Sequence, residues 1–309
     1  ALDWGTSSLR AFLVAADGSI LARASAPHGI LNVPGQDFAG TFEAIAGPWL
    51  ARHPALPALA SGMIGSRQGW REVPYAQAPA GLAELARGLV SVAGRAGHRL
   101  AIVPGVAYRA AAAPPDVMRG EETQILGSLV ADSGGRQLFV LPGTHSKWAL
   151  VEDGRIVWFA TFMTGELYAV LKAHSILGRL MAGDADDAAS FRRGLAQAAE
   201  ASAAAGGLLH KLFSARSLAL FDELPAAGVA SYLSGLLIGH ELGEALASLA
   251  ERLAAPPGIV RVIGEPALAR LYRTALSGRG VEVHLAEENV VALGLLRIAQ
   301  AAGLVRPSA

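Results

Sequence analysis

Two short segments of the chain place a glycine beside hydroxyl side chains after an apolar stretch. The first is Asp3-Trp4-Gly5-Thr6-Ser7 and the second is Gly143-Thr144-His145-Ser146-Lys147. A glycine-bearing turn lets backbone N–H groups approach phosphate oxygens, and a threonine hydroxyl is a further donor. The turns are therefore predicted to hold a polyphosphate from two sides. The predicted phosphate contacts are Gly5, Thr6, Ser7, Gly143, Thr144, His145 and Lys147.

The two turns differ in the residue that precedes them. Asp3 precedes the first, whereas Leu141 stands at the corresponding place before the second. A carboxylate at a strand end can hold Mg²⁺ through water, although aspartate before a turn is also common without any metal. We expect the first turn to handle the metal, with Asp3 as its ligand, and the second to bind the negative oxygens.

Two adjacent glutamates, Glu121 and Glu122, follow Gly120 at the predicted start of a helix. The plainer explanation is that acidic residues in a first turn complement the helix dipole. The same position lowers the pKa of a carboxylate, which suits a phosphoryl-transfer base that orients the acceptor hydroxyl more than it deprotonates it. Neighbouring helical residues point about 100° apart, so only one of the two is expected to face a cleft.

Two loops could hold a phosphoryl acceptor. One covers residues 61–70 and is rich in glycine; the other covers residues 161–166. The plainer alternatives are a simple connection for the first and a helix N-cap at Thr164 for the second. The predicted contacts in these loops are Met63, Ile64, Gly65, Ser66, Arg67, Trp70, Thr164, Gly165 and Glu166.

A further glycine, Gly264, ends a predicted strand, and Glu265-Pro266 opens the next helix. Nucleotides lie at the carboxyl ends of parallel strands in such sheets, so Gly264 and Glu265 are candidate nucleotide contacts. An ordinary strand-to-helix turn explains the pattern equally well. The sequence has neither a G-x-x-x-x-G-K-[ST] loop nor a G-x-G-x-x-G fingerprint, which excludes P-loop NTPases and standard dinucleotide enzymes.

Each Gly-Thr turn stands near the head of one half of the chain and opens the same pattern. An alternating strand, an Asp-Gly turn (Asp17-Gly18 and Asp153-Gly154) and a second strand follow in both copies. Two unrelated hairpins could give this pattern, but the repeated order favours two α/β halves. The glycine-rich segment 132–135 is the predicted boundary, which gives domains 1–133 and 134–309.

Periodicity predicts the other elements of these halves. The stripe Phe38, Phe42, Ile45 and Trp49 indicates a helix at 37–51. The other predicted helices cover 81–93, 120–130, 165–181, 187–204, 208–221, 226–253, 266–276 and 288–301. The predicted strands beyond the hairpins cover 57–61, 99–103, 258–263 and 281–285.

Composition excludes several classes of protein. Of 309 residues, 26 are basic and 26 acidic, so no positively charged surface for nucleic acid is expected. The absence of cysteine excludes disulfides and thiol catalysis. No apolar run is long enough to span a membrane and no signal peptide is visible, so no membrane partner and a cytoplasmic location are expected.

The ordered set of motifs resembles the 2-dehydro-3-deoxygalactonokinase family of the actin, hexokinase and Hsp70 ATPase superfamily. The matching segments are 3–11, 61–70, 118–124, 142–148, 163–166 and 234–239. The resemblance implies two actin-like (ribonuclease H-like) α/β domains with a central nucleotide cleft. The first domain would carry the first phosphate loop and the acceptor loop; the second would carry the second phosphate loop and the nucleotide-binding segment. A homodimer is an open expectation.

The resemblance also implies an activity and its cofactors. The enzyme would transfer the γ-phosphoryl group of ATP, with Mg²⁺, to the 6-hydroxyl of 2-dehydro-3-deoxy-D-galactonate. Arg10, Arg67 and Arg119 lie beside the motifs and could bind the acceptor's carboxylate, since arginine offers a planar anion two parallel hydrogen bonds. The glutamate pair is similar to the Gly-Glu-Glu segment of exopolyphosphatases, which slightly favours Glu122 over Glu121 as the base.

Two other functions fit the same scaffold. A phosphohydrolase of the exopolyphosphatase type would need an acceptor pocket open to water. A non-catalytic sugar sensor, or a filament-forming actin relative, would not need Asp3, Thr6, Thr144 and a glutamate together. Sugar-acid phosphorylation is therefore the leading hypothesis from the sequence.

Overall fold

The structure of the protein is a computed structural model that describes residues 1–111, 113–130, 135–183, 186–200, 206–253, 258–286 and 289–306. The chain forms two compact units. Unit 1 contains Ala1–Gln137, Ala149–Phe159 and Ala286–Ala309, and unit 2 contains Leu138–Trp148 and Ala160–Leu285. Residues 149–159 and 286–309 thus group with unit 1, although they were assigned to the second predicted domain. The predicted boundary at 133 lies outside the described residues and stays a prediction.

The described strands lie in both units of the chain. They are β1 (Leu2–Trp4), β2 (Leu9–Val14), β3 (Ile20–Ala26), β4 (Ala58–Ser61), β5 (Ala76–Gln77), β6 (Val90–Ala93), β7 (Arg99–Ile102), β8 (Val106–Tyr108), β9 (Asp116–Met118), β10 (Arg136–Leu141), β11 (Ser146–Glu152), β12 (Arg155–Phe162), β13 (Ile259–Val262) and β14 (Glu282–Leu285).

The described helices connect or follow these strands along the chain. They are α1 (Phe38–Arg52), α2 (Leu82–Arg87), α3 (Glu121–Gly127), α4 (Thr164–His174), α5 (Ala188–Ala199), α6 (Leu208–Leu212), α7 (Ser214–Leu220), α8 (Val229–Ala250), α9 (Pro266–Ser277) and α10 (Val290–Ala301). Within the described ranges, none of these helices combines the length and hydropathy needed to cross a membrane.

The strand order repeats between the two larger sheets. The first has the order β3-β2-β1-β4-β7-β6 and the second β12-β11-β10-β13-β14. β4 lies parallel to both β1 and β7, and β13 lies parallel to both β10 and β14. In both sheets, therefore, a meander of three consecutive strands is followed by two parallel strands. This repetition confirms the prediction of two related α/β halves.

Two features of the first half differ from the prediction. The predicted helix at 81–93 is wrong beyond Arg87, because α2 ends at Arg87, is capped by Gly88, and is followed by β6. Val90 and Val92 pair antiparallel with β7, where β-branched side chains are favoured. A sheet of order β5-β8-β9 was not predicted, since its strands have only two or three residues and carry no periodic signal.

The second half shows smaller deviations. The predicted helix at 165–181 ends at His174 and is followed by a 3-10 turn at Gly178–Leu180. The predicted helix at 208–221 divides at Phe213 into α6 and α7. The predicted helix at 187–204 ends within the described residues at Ala199, and residues 201–205 lie outside them. Residue 288, the predicted start of the last helix, also lies outside the described residues.

The core of unit 1 confirms the predicted helical stripe. Phe38 and Phe42 of α1 are buried beside Trp4, with Ile45 and Trp49 packed against the same cluster. The Trp4 indole N–H donates to the backbone oxygen of His28 at 2.8 Å. Burial of an aromatic side chain stabilises such a core strongly, and the bonded indole avoids an unsatisfied donor.

The packing of α5 on α8 in unit 2 depends on backbone contact at two glycines. A Cβ atom at Gly235 would lie 2.1 Å from the backbone oxygen of Phe191, and one at Gly194 would lie 2.2 Å from that of Tyr232. Gly243, on the same helix α8, has no atom within 4 Å of such a position. The two helices can approach this closely only because no side chain separates them.

Gly235→Ala is therefore expected to destabilise the protein by about 1–3 kcal/mol, since overpacking forces the helices apart. Gly243→Ala is the matched control on the same helix and should be neutral or stabilise by up to about 1 kcal/mol, through helix propensity alone. Urea unfolding of the two variants measures this difference. Equal unfolding free energies for both variants would contradict the close-packing explanation.

Candidate active site

The first Gly-Thr turn of unit 1 is supported by backbone hydrogen bonds. The Gly5 N–H donates to the oxygen of Ser8 at 3.0 Å, and the N–H groups of Ile30 and Leu31 donate to the oxygens of Gly5 and Thr6. Thr6 and Ser7 are exposed, so their hydroxyls are available to a ligand. A Cβ atom at Gly29 would lie 2.3 Å from the Ser7 nitrogen. The supporting role of Gly29 was missed because an isolated glycine carries no motif.

Three predicted motifs meet at the carboxyl ends of β1 and β4. Asp3 is the register partner of Ser61 in the parallel pairing of these strands. A Cβ atom at Gly62 would lie 2.8 Å from the Trp4 oxygen, and one at Gly120 would lie 3.2 Å from the Gly62 Cα. Unit 1 thus brings together the first phosphate turn, the 61–66 loop and the start of the glutamate-bearing helix α3.

Asp3 forms an ion pair with Arg10, which stands directly opposite it in the antiparallel β1–β2 register. The Arg10 Nε also lies 3.1 Å from Asp3 Oδ2. Asp3 keeps 16% of its side-chain surface exposed, so a water-mediated metal contact remains open to it. Mg²⁺ usually takes one or two carboxylates and keeps several waters, so this lone carboxylate fits such an ion.

Glu122 is fully buried at the start of α3. Its Oε2 accepts the Gly120 N–H at 2.7 Å and its Oε1 accepts the Thr123 hydroxyl at 3.0 Å. Burial, and secondarily the charge of Glu121, raises the pKa of Glu122 to about 7. The prediction of a lowered pKa at this position is wrong for Glu122, because the loss of water outweighs the N–H donors of the helix start. Glu121 is only partly buried.

The predicted acceptor loop at 61–70 has a buried side and an accessible side. Ile64 and Gly65 are buried, whereas Met63 and Ser66 are partly exposed. The Trp70 ring stacks on Phe38 with a centroid distance of 6.5 Å and belongs to the unit 1 core. The side chains of Ile64 and Trp70 therefore pack on the core side of the loop. This placement does not support their predicted contact with an acceptor.

The two other predicted arginines of the acceptor site have different surroundings. Arg67 is 86% exposed and pairs with Glu72 at 2.9 Å. The guanidinium of Arg119 lies 4.3 Å from the centre of the Tyr75 ring and donates to the Val73 oxygen. Its Nε and Nη1 are buried and have no hydrogen-bond partner among the described residues. Arg119 is thus held in place while two of its donor nitrogens are unused.

Unit 2 joins the second Gly-Thr turn to the start of α4. A Cβ atom at Gly165 would lie 2.3 Å from the Gly143 oxygen, and the Glu166 N–H donates to the Thr144 oxygen at 2.9 Å. His145 Nε2 lies 2.5 Å from Glu166 Oε2, and both side chains are substantially exposed. The phosphate turn and the 161–166 loop, predicted separately, are therefore one structural element.

Lys147 is less accessible than its predicted role requires. It is 6% exposed, and its Nζ donates to the Thr161 hydroxyl at 2.6 Å. The exposed residues of this turn are Thr144 and His145. In this arrangement a phosphate would contact Thr144 and His145 directly, whereas the charge of the buried Lys147 would act without direct contact.

A cavity of about 410 Å³ lies beside this turn within unit 2. Gly143, Thr164, Gly165 and Glu265 line it together with side chains of α5, α8 and α9. Glu265 also caps α9 by accepting the Leu268 N–H at 3.0 Å, and such backbone donors lower its pKa. The cavity residues missed from the sequence include Phe191, Arg192, Ser231 and Tyr272, since their helices are distant along the chain and share no motif.

The duplicated sheets and the turns at their strand ends define the actin-like fold of sugar kinases and related ATPases. A crystal structure of component A of (R)-2-hydroxyglutaryl-CoA dehydratase from Acidaminococcus fermentans has this fold in common with the chain. The TM-score is 0.51 at 14% identity, with 97% of each chain covered. The predicted fold class is confirmed.

The chain belongs to the 2-keto-3-deoxy-galactonokinase family, whose profile matches residues 3–298. It is 38% identical to a protein of Rhizobium meliloti (strain 1021) named as a probable 2-dehydro-3-deoxygalactonokinase, over 97% of this chain and 96% of that one. It is 33% identical to the 2-dehydro-3-deoxygalactonokinase of Escherichia coli (strain K12), with 97% of both covered. A crystal structure from Sinorhizobium meliloti named for the same activity has a TM-score of 0.83, 37% identity and 97% coverage of each chain. The predicted family is confirmed.

The raised pKa of Glu122 predicts a pH-dependent contribution to stability. A buried acid with a raised folded-state pKa stabilises the fold fully below its unfolded pKa, near 4.5, and loses that contribution as the pH rises through about 7. Gln has no such titration. As the pH rises from 4.5 to 8, the unfolding free energy of Glu122→Gln should therefore increase by roughly 1–3 kcal/mol relative to that of wild type.

Urea unfolding of both proteins across this pH range measures the effect. The exposed Glu244 supplies the control variant Glu244→Gln, which removes one surface carboxylate and leaves Glu122 in place. A profile for Glu122→Gln parallel to that of wild type would show that Glu122 titrates normally.

Proposed function

We propose that the protein transfers the γ-phosphoryl group of ATP to the 6-hydroxyl of 2-dehydro-3-deoxy-D-galactonate. The observation that carries the proposal is membership of the 2-keto-3-deoxy-galactonokinase family over residues 3–298. The local geometry is compatible with it, because each unit holds one glycine-bearing turn with at least one exposed threonine. Phosphoryl transfer depends chiefly on positioning and on charge stabilisation, and such turns supply both.

In the proposed reaction the bond between the γ-phosphorus and the β,γ-bridging oxygen breaks, and a bond to the acceptor's 6-oxygen forms. ADP leaves, and the hydroxyl proton passes to a carboxylate. The turns at Gly5–Ser7 and Gly143–His145 would bind phosphate oxygens. The cavity beside Gly143 would take the nucleoside; Glu265 lines this cavity, and Gly264 directly precedes Glu265 in the chain. Mg²⁺, held through Asp3, would neutralise phosphate charge.

The carboxylate that receives the proton is one of the adjacent pair Glu121 and Glu122. Both oxygens of Glu122 accept hydrogen bonds from its own turn and the side chain is fully buried. Glu121 is partly exposed, and its Oε2 accepts the Arg119 N–H at 2.9 Å. This geometry favours Glu121 as the group that meets the acceptor and Glu122 as the support of the turn, in the reverse of the order inferred from the sequence.

The acceptor's carboxylate requires a cation. Arg10 and Arg67 already face Asp3 and Glu72, whereas Arg119 keeps Nε and Nη1 without partners among the described residues. We therefore assign the carboxylate first to Arg119. Because a Cβ atom at Gly65 would lie 2.9 Å from Arg119 Nη1, access to this nitrogen needs a shift of the 61–66 loop. The homodimer and the cytoplasmic location stay predictions.

ADP release with and without the acceptor tests the function. We expect release that depends on 2-dehydro-3-deoxygalactonate and stops when EDTA removes Mg²⁺. Glucose and galactose should be poorer acceptors by about 10²-fold or more in kcat/KM, because an unpaired buried arginine is costly. Release without any acceptor would favour a phosphohydrolase, no release would favour a sensor, and equal use of a neutral hexose would exclude the carboxylate site.

The two glutamates are separated by their amide variants. Glu121→Gln is expected to lower kcat at least tenfold more than Glu122→Gln, because a base contributes about 10²–10⁴-fold and a supporting residue less. Affinity for ATP should change little in either variant. Steady-state kinetics with saturating ATP measure the ranking. A larger loss in Glu122→Gln would restore the sequence-based order, and two fully active variants would assign both residues to the helix dipole alone.

A further inference from the structure

A buried carboxylate in unit 2, that of Glu241, has no part in the proposed chemistry. Glu241 lies on α8 and is 3% exposed. The Trp148 indole N–H donates to its Oε1 at 2.8 Å, and the Tyr272 hydroxyl donates to its Oε2 at 2.5 Å. The hydroxyls of Ser146 and Thr164 join the same hydrogen-bond network. Two donors thus bond directly to one carboxylate, and two further hydroxyls extend the network, so that side chains of three other elements converge on Glu241.

Each donor belongs to an element that bounds the second phosphate turn or the adjacent cavity. Ser146 and Trp148 begin β11, directly after the turn. Thr164 begins α4, whose Gly165 contacts the Gly143 backbone. Tyr272 lies on α9, and Thr164 and Tyr272 both line the cavity. Tyr272 also lies 2.8 Å from Ser146 Oγ, so it links the cavity wall to the phosphate turn.

A carboxylate is a costly group to bury for packing alone. Burial raises the pKa of Glu241 and, together with the neighbouring carboxylate, that of Tyr272 well above its ordinary value. Apolar side chains of similar volume would usually stabilise a core as well or better. Unlike apolar side chains, a carboxylate that accepts several hydrogen bonds fixes the direction as well as the distance of each donor.

We propose that Glu241 is a positioning residue that sets the second phosphate turn at the correct distance and angle from the nucleotide cavity. It acts through Ser146, Trp148, Thr164 and Tyr272 and does not touch the substrate itself. The proposal rests on the proposed function in taking the cavity and the turn as the sites of the nucleoside and the phosphates. It implies that losing Glu241 harms phosphate binding more than nucleoside binding.

The test compares the affinities of ADP and adenosine by calorimetry, which requires no catalytic turnover. Glu241→Leu should weaken ADP binding at least tenfold and leave adenosine binding within about twofold, because a misplaced turn loses charge-assisted hydrogen bonds to phosphate. Glu241→Gln keeps one acceptor oxygen and should recover part of the affinity. Glu244→Gln, one helical turn further along α8 and exposed, is the matched control and should bind both ligands as wild type does.

Tyr272→Phe provides a second variant in case Glu241→Leu does not fold. It keeps the ring that lines the cavity and removes the hydroxyl between Glu241 and Ser146, so ADP should again be weakened more than adenosine. In steady state, the KM for ATP should rise while the KM for the acceptor stays constant. If the variants lose thermal stability but keep the wild-type ratio of ADP to adenosine affinity, Glu241 is only structural and the proposal is overturned.

If wild type binds neither ADP nor adenosine, the assignment of the nucleotide site itself is wrong, and the proposal falls with it. If wild type binds both ligands but releases no acceptor-dependent ADP, the proposed reaction fails while the positioning role of Glu241 can still be decided from the variants. The two failures are therefore distinguishable.

Discussion

The register between the first strand of each sheet and its parallel neighbour is the constraint on which the candidate site depends. In unit 1, β1 and β4 pair with Asp3 opposite Ser61; in the second sheet, β10 and β13 pair with Val140 opposite Val262. Parallel strands in such a register end at the same edge, so the loops that follow them must meet. A shift of the β1–β4 register by one residue would point Asp3 into the core and separate Gly62 from Gly120.

This dependence explains which parts of the site the sequence could predict. The turns at Gly5 and Gly143, the glutamate pair and the 161–166 loop each follow directly from a strand end or a helix start, and local residue chemistry identifies such points. The repeated hairpin pattern also predicted that the two halves contain related sheets, because each hairpin supplies the first strands of its sheet. Helix 81–93 was half wrong because Gly88 and the pairing of Val90 and Val92 with β7 override a weak helical pattern.

The parts that could not be predicted are those that only tertiary contacts create. The pKa of Glu122 is raised because the folded chain buries its side chain, and the Gly-Glu-Glu segment alone does not indicate this burial. The side chains of the hydrogen-bond network around Glu241 come from β11, α4 and α9, so the spacing of these residues in the chain shows no pattern. The pairing of Arg10 with Asp3 likewise depends on the antiparallel register, which the motif itself does not show.

Glu122 and Glu241, which are both buried, show how the two halves differ. Glu122 is satisfied locally, by Gly120 and Thr123 of its own turn, in a unit that contributes the carboxylates Asp3 and Glu121. Glu241 is satisfied by distant side chains, in a unit whose phosphate turn follows Leu141 and contributes Thr144, His145 and the buried Lys147. Leu141 stands where the first turn has Asp3, so the second strand end carries no carboxylate that would repel phosphate. Under the proposed function, the first copy of the arrangement would serve metal and base chemistry and the second would serve anion binding.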